Sequence, residues 1–465
     1  MYDVVVIGMG PAGMAVSAMA VKLGLSVLGI EKNKVGGECL NCGCIPSKAL
    51  LKAGEMRKVI ENLENYGFHP TEQPELNDPL AIVRDKVDAI SGPKTMKTFE
   101  KVDLVLGQGA AEFVDAHTVR VAGKEYKGKK IFVATGTEPM LPPIPGLTEV
   151  EKLTNVNLFE QKEIPESLMI IGGGAIGSEM AQAFARLGSK VVLAHMDPHL
   201  IPTGDKEAGD LLQKVFEDEN IEVYNQTSIS KVEQVDEHIV THTDKGVFKT
   251  KRILVAAGRK PVLDGLKLEN AGIKYSKRGI QVNRKLQTSK KHIYAVGDCN
   301  GISLLSHSAM HQGMLALMNS MNPTPFKKFK HDDFVVPWSV FTKPEIAEVG
   351  MSEEQARAAG IKYKIVQSNY ADYGRTIADG QTEGFVKVVT NDKGKIFGAT
   401  VVGESASELI HEWTMAMQYK HSLFDIMMMQ HSFPTISLMN KRVSENWMME
   451  LAEKPWLQKL AKMFI

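Results

Sequence analysis

An internal repeat constrains the fold of this chain more than any other feature. Asp3 to Ile7 is an apolar run suited to a strand, followed by Gly8-Met9-Gly10-Pro11-Ala12-Gly13 and an Ala/Met-rich helical stretch. A second strand is expected over Leu25 to Ile30, ending at Glu31. The scheme returns 164 residues later as Leu168 to Ile171, Gly172-Gly173-Gly174-Ala175-Ile176-Gly177, a helical stretch, and a strand over Lys190 to Ala194. A lone glycine run is weak evidence, but a strand before it and a helix after it make it specific. Gly8 and Gly172 permit a tight turn, Gly10 and Gly174 let the backbone approach a pyrophosphate, and Gly13 and Gly177 allow close helix packing. The helix N-terminus then offers unpaired N–H groups and partial positive charge to phosphates.

The residue that follows each second strand separates the two copies. Glu31 supplies a carboxylate for ribose hydroxyls, as a dinucleotide site requires. Adding 164 gives His195, and the next five residues, Met196 to Leu200, contain no arginine for a 2′-phosphate. NAD and NADP are therefore not separated; His195 and His199 could favour a phosphate or be surface histidines. Ala134-Thr135-Gly136 and Ala256-Ala257-Gly258-Arg259 each follow a β-branched run and are expected to close a nucleotide domain. Ile293-Tyr294-Ala295-Val296-Gly297-Asp298 is a strand ending in a carboxylate, suited to a ligand's hydroxyl chain. Residues 320–333, with Pro323 and Pro325, read as a linker, after which Phe334 to Phe341 and Phe385 to Val402 read as strands of a further domain.

At 465 residues the chain is too long for one core. Lys+Arg and Asp+Glu both total 55, which removes any electrostatic case for nucleic acid. Residues 4–21 carry no charge, but Gly8, Gly10, Pro11 and Gly13 interrupt the run and no basic residue precedes it. A signal peptide or membrane-spanning helix is not expected there, and the location expected is cytoplasmic.

Three of the 4 cysteines lie in Gly36-Gly37-Glu38-Cys39-Leu40-Asn41-Cys42-Gly43-Cys44-Ile45-Pro46-Ser47-Lys48. Two thiols five apart at a helix start can form a disulfide, and the helix dipole favours the thiolate. Zinc is the main competitor, but no second Cys/His pair stands at ligand spacing, so no metal ligand is assigned.

With these motifs in this order, the chain resembles the pyridine nucleotide–disulfide oxidoreductases, close to dihydrolipoamide dehydrogenases and similar to glutathione and mercuric reductases. The resemblance implies an α/β fold with two Rossmann-like dinucleotide-binding domains, for FAD and for NAD or NADP, plus a C-terminal α+β dimerisation domain. It places the FAD domain at 1–146 and 262–325, the NAD(P) domain at 147–261, and the dimerisation domain at 333–465 in a homodimer. Cys39 matches the interchange thiol and Cys44 the charge-transfer thiol against the flavin. Lys48 and Glu179 match groups near the flavin's reactive edge, Glu31 and Asp298 the partners of the adenosine ribose and ribityl chain. Gly37, Thr135, Gly136, Gly258, Arg259 and Gly297 are carried over as cofactor-binding positions, and Leu305-Ser306-His307-Ser308-Ala309 as the segment under the flavin.

Three features depart from the family pattern. Phe433 and Leu438 in His431-Ser432-Phe433-Pro434-Thr435-Ile436-Ser437-Leu438 stand where dithiol-using members carry a histidine and a glutamate. A positioned base contributes roughly 10²–10⁴-fold to such chemistry. The expected acceptor is therefore not lipoamide but a small molecule or metal ion, such as a soft metal ion or a quinone. The alternatives are a dihydrolipoyl dehydrogenase using His431, or a catalytically silent flavoprotein. Cys42 stands where relatives carry valine, either as packing or as a third thiol for a soft metal. Met427, Met428 and Met429, near His431, read as core packing, with a soft-metal site as the alternative. Finally, residues 447–465, with Trp447, Trp456, Phe464 and several lysines, read as either a membrane-surface helix or a segment packed on the partner subunit.

Overall fold

The computed structural model describes residues 1–324 and 328–464, so Pro325 lies outside the described residues. The chain divides into two compact units, residues 1–50, 76–164 and 252–334, and residues 51–75, 165–251 and 335–465.

The first unit is built on a parallel sheet in the order Asp103–Leu106, Val27–Glu31, Tyr2–Ile7, Lys124–Val133, with Ile293–Ala295 beside the last of these. Nearly every residue of the central strands is buried, as expected for strands covered on both faces. Register aligns Ile7 with Ile30 and Val133, and Ala295 with Val133. The carboxyl ends of four strands therefore share one edge. From that edge emerge the Gly8 turn, Glu31, Thr135-Gly136 and Gly297-Asp298, which is where open α/β sheets place ligands. Helices Pro11–Lys22 and Ser306–Met321 pack together on one face, around Val16, Ala309, Leu315 and Ala316.

The second unit repeats the parallel pattern in Ser167–Ile171, Lys190–Ala194 and Glu222–Tyr224, with helix Ala175–Arg186 after the glycine turn. It also carries a five-stranded antiparallel sheet in the order Trp338–Val340, Glu345–Gly350, Gly398–Gly403, Phe385–Thr390, Lys364–Asn369. Helices Ala406–Tyr419 and Leu438–Ala452 cover this sheet around the buried Trp413.

Four local expectations need correction. The strand expected over Phe334 to Phe341 is confined to Trp338–Val340. The run Phe385 to Val402 is two strands, because the Asn391 side chain accepts from the amides of Lys393 and Lys395 (3.0 and 3.1 Å) and closes a turn ending at Gly394. Met428 and Met429 do not pack a core: they end a short helix and are exposed. Trp447 belongs to no surface tail but is buried in the core of the antiparallel sheet; Met448 and Leu451 pack partly on that core, and helix Pro455–Phe464 holds no buried residue.

Candidate functional site

Both glycine turns have the geometry that the spacing predicts. Gly8 has φ +97°, and a Cβ on Gly13 would lie 1.9 Å from the Gly8 carbonyl oxygen; in the second copy a Cβ on Gly177 would lie 1.8 Å from that of Gly172. Only glycine fits at the third position. The helices that follow begin at Gly10 and Gly174 with no side-chain cap, so their first amides are left for an anion. In the first turn the buried Glu31 accepts from the amides of Met9 and Asn33, both at 2.8 Å, which fixes the carboxylate at the strand end.

The second copy replaces that carboxylate with a ring. His195 is buried, its Nε2 lies 2.6 Å from Asn225 Oδ1, and a Cβ on Gly173 would come within 2.7 Å of the imidazole. His199 is also buried, with Nδ1 2.8 Å from the Leu200 carbonyl oxygen. Neither is a surface histidine. The His195 ring packs against Gly173 and the His199 ring against Gly209, where the absence of a side chain leaves room for them.

The cysteine segment is anchored to the first glycine turn. Gly36 N donates to the Met9 carbonyl (2.8 Å), and a Cβ on Gly37 would lie 2.8 Å from Gly10 Cα, so the two loops touch backbone to backbone. Cys39 lies in the short helix Gly37–Asn41, and Cys44 opens the long helix Cys44–Glu61. The thiols are unbridged here. Cys39 is pushed up, first by its hydrogen bond to Cys44 and then by burial; the Ser306 hydroxyl and the Lys48 charge pull it the other way. A thiol that hydrogen-bonds to a neighbouring sulfur resists ionisation, so of the two Cys39 is held toward its protonated form.

Cys42 behaves differently. Burial, and then the Glu38 carboxylate, push its thiol up to about 12. A soft metal ion binding there would have to displace that proton, which weakens the site. Among the described residues no group of three or more His, Cys, Asp or Glu is placed to hold a metal ion.

Reading single motifs missed a chain of polar contacts beside the cysteines. Thr137 donates to Asp298 (3.1 Å) and accepts from Arg259 Nε (2.7 Å). Arg259 also donates to the Thr137 carbonyl (3.0 Å) and pairs with Glu38. Asn155 donates to Glu38 (3.1 Å) and to the Cys42 carbonyl (3.4 Å). Burial pushes Asp298 up, while Thr137 and Arg259 draw it back toward the carboxylate. Arg259 is thus a tie between the Asp298 loop and the cysteine segment. Ser306, within the segment expected under the flavin but given no role of its own, has its hydroxyl 3.3 Å from Cys44 Sγ. Glu179 is buried on helix Ala175–Arg186 of the second unit and accepts from the Phe341 amide at 3.0 Å.

Near the C-terminus, Phe433 is 81% exposed. The His431 side chain is only 4% exposed and its Nε2 lies 3.0 Å from Glu412 Oε1. Glu412 accepts in turn from Asn440 (2.8 Å), which also accepts from Trp413 Nε1 (2.8 Å).

Comparison with known proteins agrees with this geometry. The sequence profile for pyridine nucleotide-disulphide oxidoreductases matches residues 2–313, and that for their dimerisation domain matches residues 336–442. A dihydrolipoyl dehydrogenase of Thermus scotoductus is 37% identical over 449 residues, covering 94% of this chain and 95% of the relative. A mercuric reductase of Bacillus cereus is 33% identical over 435 residues, covering 91% of this chain and 68% of the relative. Among solved structures, the HOCl-induced flavoprotein disulfide reductase RclA of Escherichia coli superimposes with a TM-score of 0.85 at 26% identity, over 96% of this chain and 100% of that one. With the two uncapped glycine turns, the Glu31 and Asp298 carboxylates and the paired thiols, these matches establish that the chain belongs to the pyridine nucleotide-disulphide oxidoreductase family, whose enzymes use FAD and NAD(P)H.

Proposed function

We propose that this flavoprotein disulfide oxidoreductase takes electrons from NADH or NADPH and passes them through the Cys39–Cys44 pair to an acceptor other than lipoamide. When bound, FAD accepts a hydride from the nicotinamide and delivers two electrons to sulfur. On this reading Gly8, Gly10, Gly13, Glu31, Gly37, Thr135, Gly136, Gly297 and Asp298 hold the FAD. Gly172, Gly174, Gly177 and His195 serve the nicotinamide nucleotide, Gly258 and Arg259 are cofactor-binding positions, Arg259 acting through Thr137 and Asp298, and Lys48 and Glu179 stand near the reactive edge. Two electrons and one proton entering the disulfide cleave the S–S bond, leaving a thiol on Cys39 and a thiolate on Cys44.

The carrying observation is the Cys39–Cys44 hydrogen bond beside the Lys48 charge, which favours a reduced pair with a single negative charge. The acceptor reading rests on the C-terminal segment. Phe433 cannot take a proton, Leu438 offers no carboxylate, and His431 is turned inward onto Glu412 instead of toward an incoming dithiol. A second reading, lipoamide as acceptor with His431 as base, is favoured by the 37% identity to a dihydrolipoyl dehydrogenase. Stopped-flow reoxidation of the nucleotide-reduced enzyme with lipoamide, quinones and soft metal ions separates the two. Slow lipoamide turnover with fast reoxidation by another acceptor is expected; lipoamide turnover at hundreds per second would refute the first reading.

The domain limits 1–146 with 262–325, 147–261 and 333–465, a homodimer, and a cytoplasmic location complete the proposal. No described helix is long and apolar enough to cross a membrane. Membrane contact narrows to Pro455–Phe464, where Trp456, Leu460, Met463 and Phe464 are exposed and Lys459 and Lys462 lie between them.

A further inference from the structure

Ser306 opens helix Ser306–Met321, and its hydroxyl oxygen lies 3.3 Å from Cys44 Sγ. Cys44 is itself the first residue of helix Cys44–Glu61, so the sulfur sits beside two helix starts of positive partial charge. The same hydroxyl is within reach of Cys39. A serine hydroxyl carries one donor and two acceptor sites, so its single O–H goes to the sulfur that offers negative charge. With the shared proton held on Cys39, that sulfur is Cys44. The Cys39 thiol and the Ser306 hydroxyl then converge on one sulfur as two donors, each a charge-assisted hydrogen bond.

We propose that Ser306 is a positioning residue whose hydroxyl holds the negative charge of the two-electron-reduced pair on Cys44. This deepens the function proposed above and rests on it. In the oxidised pair no thiolate is present and a disulfide sulfur is a weak acceptor; entry of two electrons and one proton creates the acceptor that Ser306 meets. The hydroxyl therefore stabilises the reduced state over the disulfide, without touching substrate or taking a proton itself.

The test compares Ser306→Ala, which deletes the donor, with Ser306→Thr, which keeps it. Each holoprotein is reduced anaerobically by two electrons, and the long-wavelength thiolate-to-flavin band is titrated against pH. Loss of a hydrogen bond to a charged group should move the midpoint of the band in Ser306→Ala up by about one pH unit, a tenfold loss of thiolate. The potential of the pair should become more reducing by about 30 mV, the same tenfold converted for a two-electron couple. Ser306→Thr should remain near wild type. An unmoved midpoint in Ser306→Ala would overturn the proposal, as would equal shifts in both variants, which would mark a packing effect. A wild-type protein with no band at any pH would instead sink the underlying reading of the cysteine pair.

Discussion

Arg259 offers the most direct probe of how the site is held together. Its guanidinium donates to the Thr137 hydroxyl and carbonyl at 2.7 and 3.0 Å and pairs with Glu38, joining segments otherwise distant in sequence. Hydrogen bonds involving a charged group are worth about 1.5–3 kcal/mol each when buried. The side chains of Arg259 and Glu38 keep 17% and 31% of their exposure, so water replaces part of what is lost. A net cost of about 2–3 kcal/mol follows for Arg259→Met. For a unit of this size that is a fall of roughly 5–10 °C in Tm. The loss should be felt at the cofactor too, because Thr137 loses the donor that orients its hydroxyl toward Asp298 and Asp298 loses a nearby positive charge. Thermal unfolding followed by flavin fluorescence reads both effects, as an earlier melt and an earlier release of flavin. Arg259→Lys should recover less than half of the loss, since an ammonium cannot span Thr137 and Glu38 as the planar fork does. A Tm within 1–2 °C of wild type, about the effect of half a kcal/mol, would refute this account of the network; so would full recovery by lysine.

Three further outcomes follow from the same structure. Cys42→Val should leave turnover with soft metal ions unchanged and alter stability by less than about 1.5 kcal/mol, because the swap nearly conserves volume; a large fall in metal-ion reduction in a steady-state assay would restore the third thiol to function. Glu348 is buried, accepts from the Asp205 amide at 2.6 Å, and is raised from 4.5 to about 8. Its folded state binds more protons than its unfolded state between those values, so stability falls as pH rises from about 5 to 8. Glu348→Gln should flatten that decline in urea titrations run across the pH range; an identical slope would show that Glu348 does not cause it. Deleting residues 455–465 should abolish sedimentation with anionic vesicles if the exposed aromatic and lysine residues lie on a membrane, whereas a wild-type protein that never sediments would end that reading.

What could be read from the sequence, and what could not, follows the range of the interactions. The two glycine turns were legible because close backbone approach forbids any side chain at Gly13 and Gly177, a local demand that leaves a local signature. The cysteine segment was legible for the same reason, its residues being neighbours along the chain. Ser306 and Cys44 are 262 residues apart, and Arg259 and Glu38 are 221 apart. No periodicity or spacing encodes such pairings; only the convergence of strand ends makes them. Burial misled where a residue type has two common homes. Trp447 packs against the sheet although its neighbours suggested a surface helix, and Met428 and Met429 are exposed although an apolar run suggested a core. His431 is the subtler case, since the sequence places it near the missing base but cannot reveal that Glu412, Asn440 and Trp413 hold it inside.

The measurement closest to the central claim is anaerobic reduction of the purified holoprotein by two electrons, followed at long wavelength. A thiolate on Cys44 next to the oxidised flavin should produce a broad charge-transfer band in the two-electron-reduced wild type, the same band in Cys39→Ser before any reduction because that variant has no disulfide to take the electrons, and none in Cys44→Ser. A band that survives in Cys44→Ser, or is missing from the wild type, would contradict the assignment of the stored charge to that sulfur.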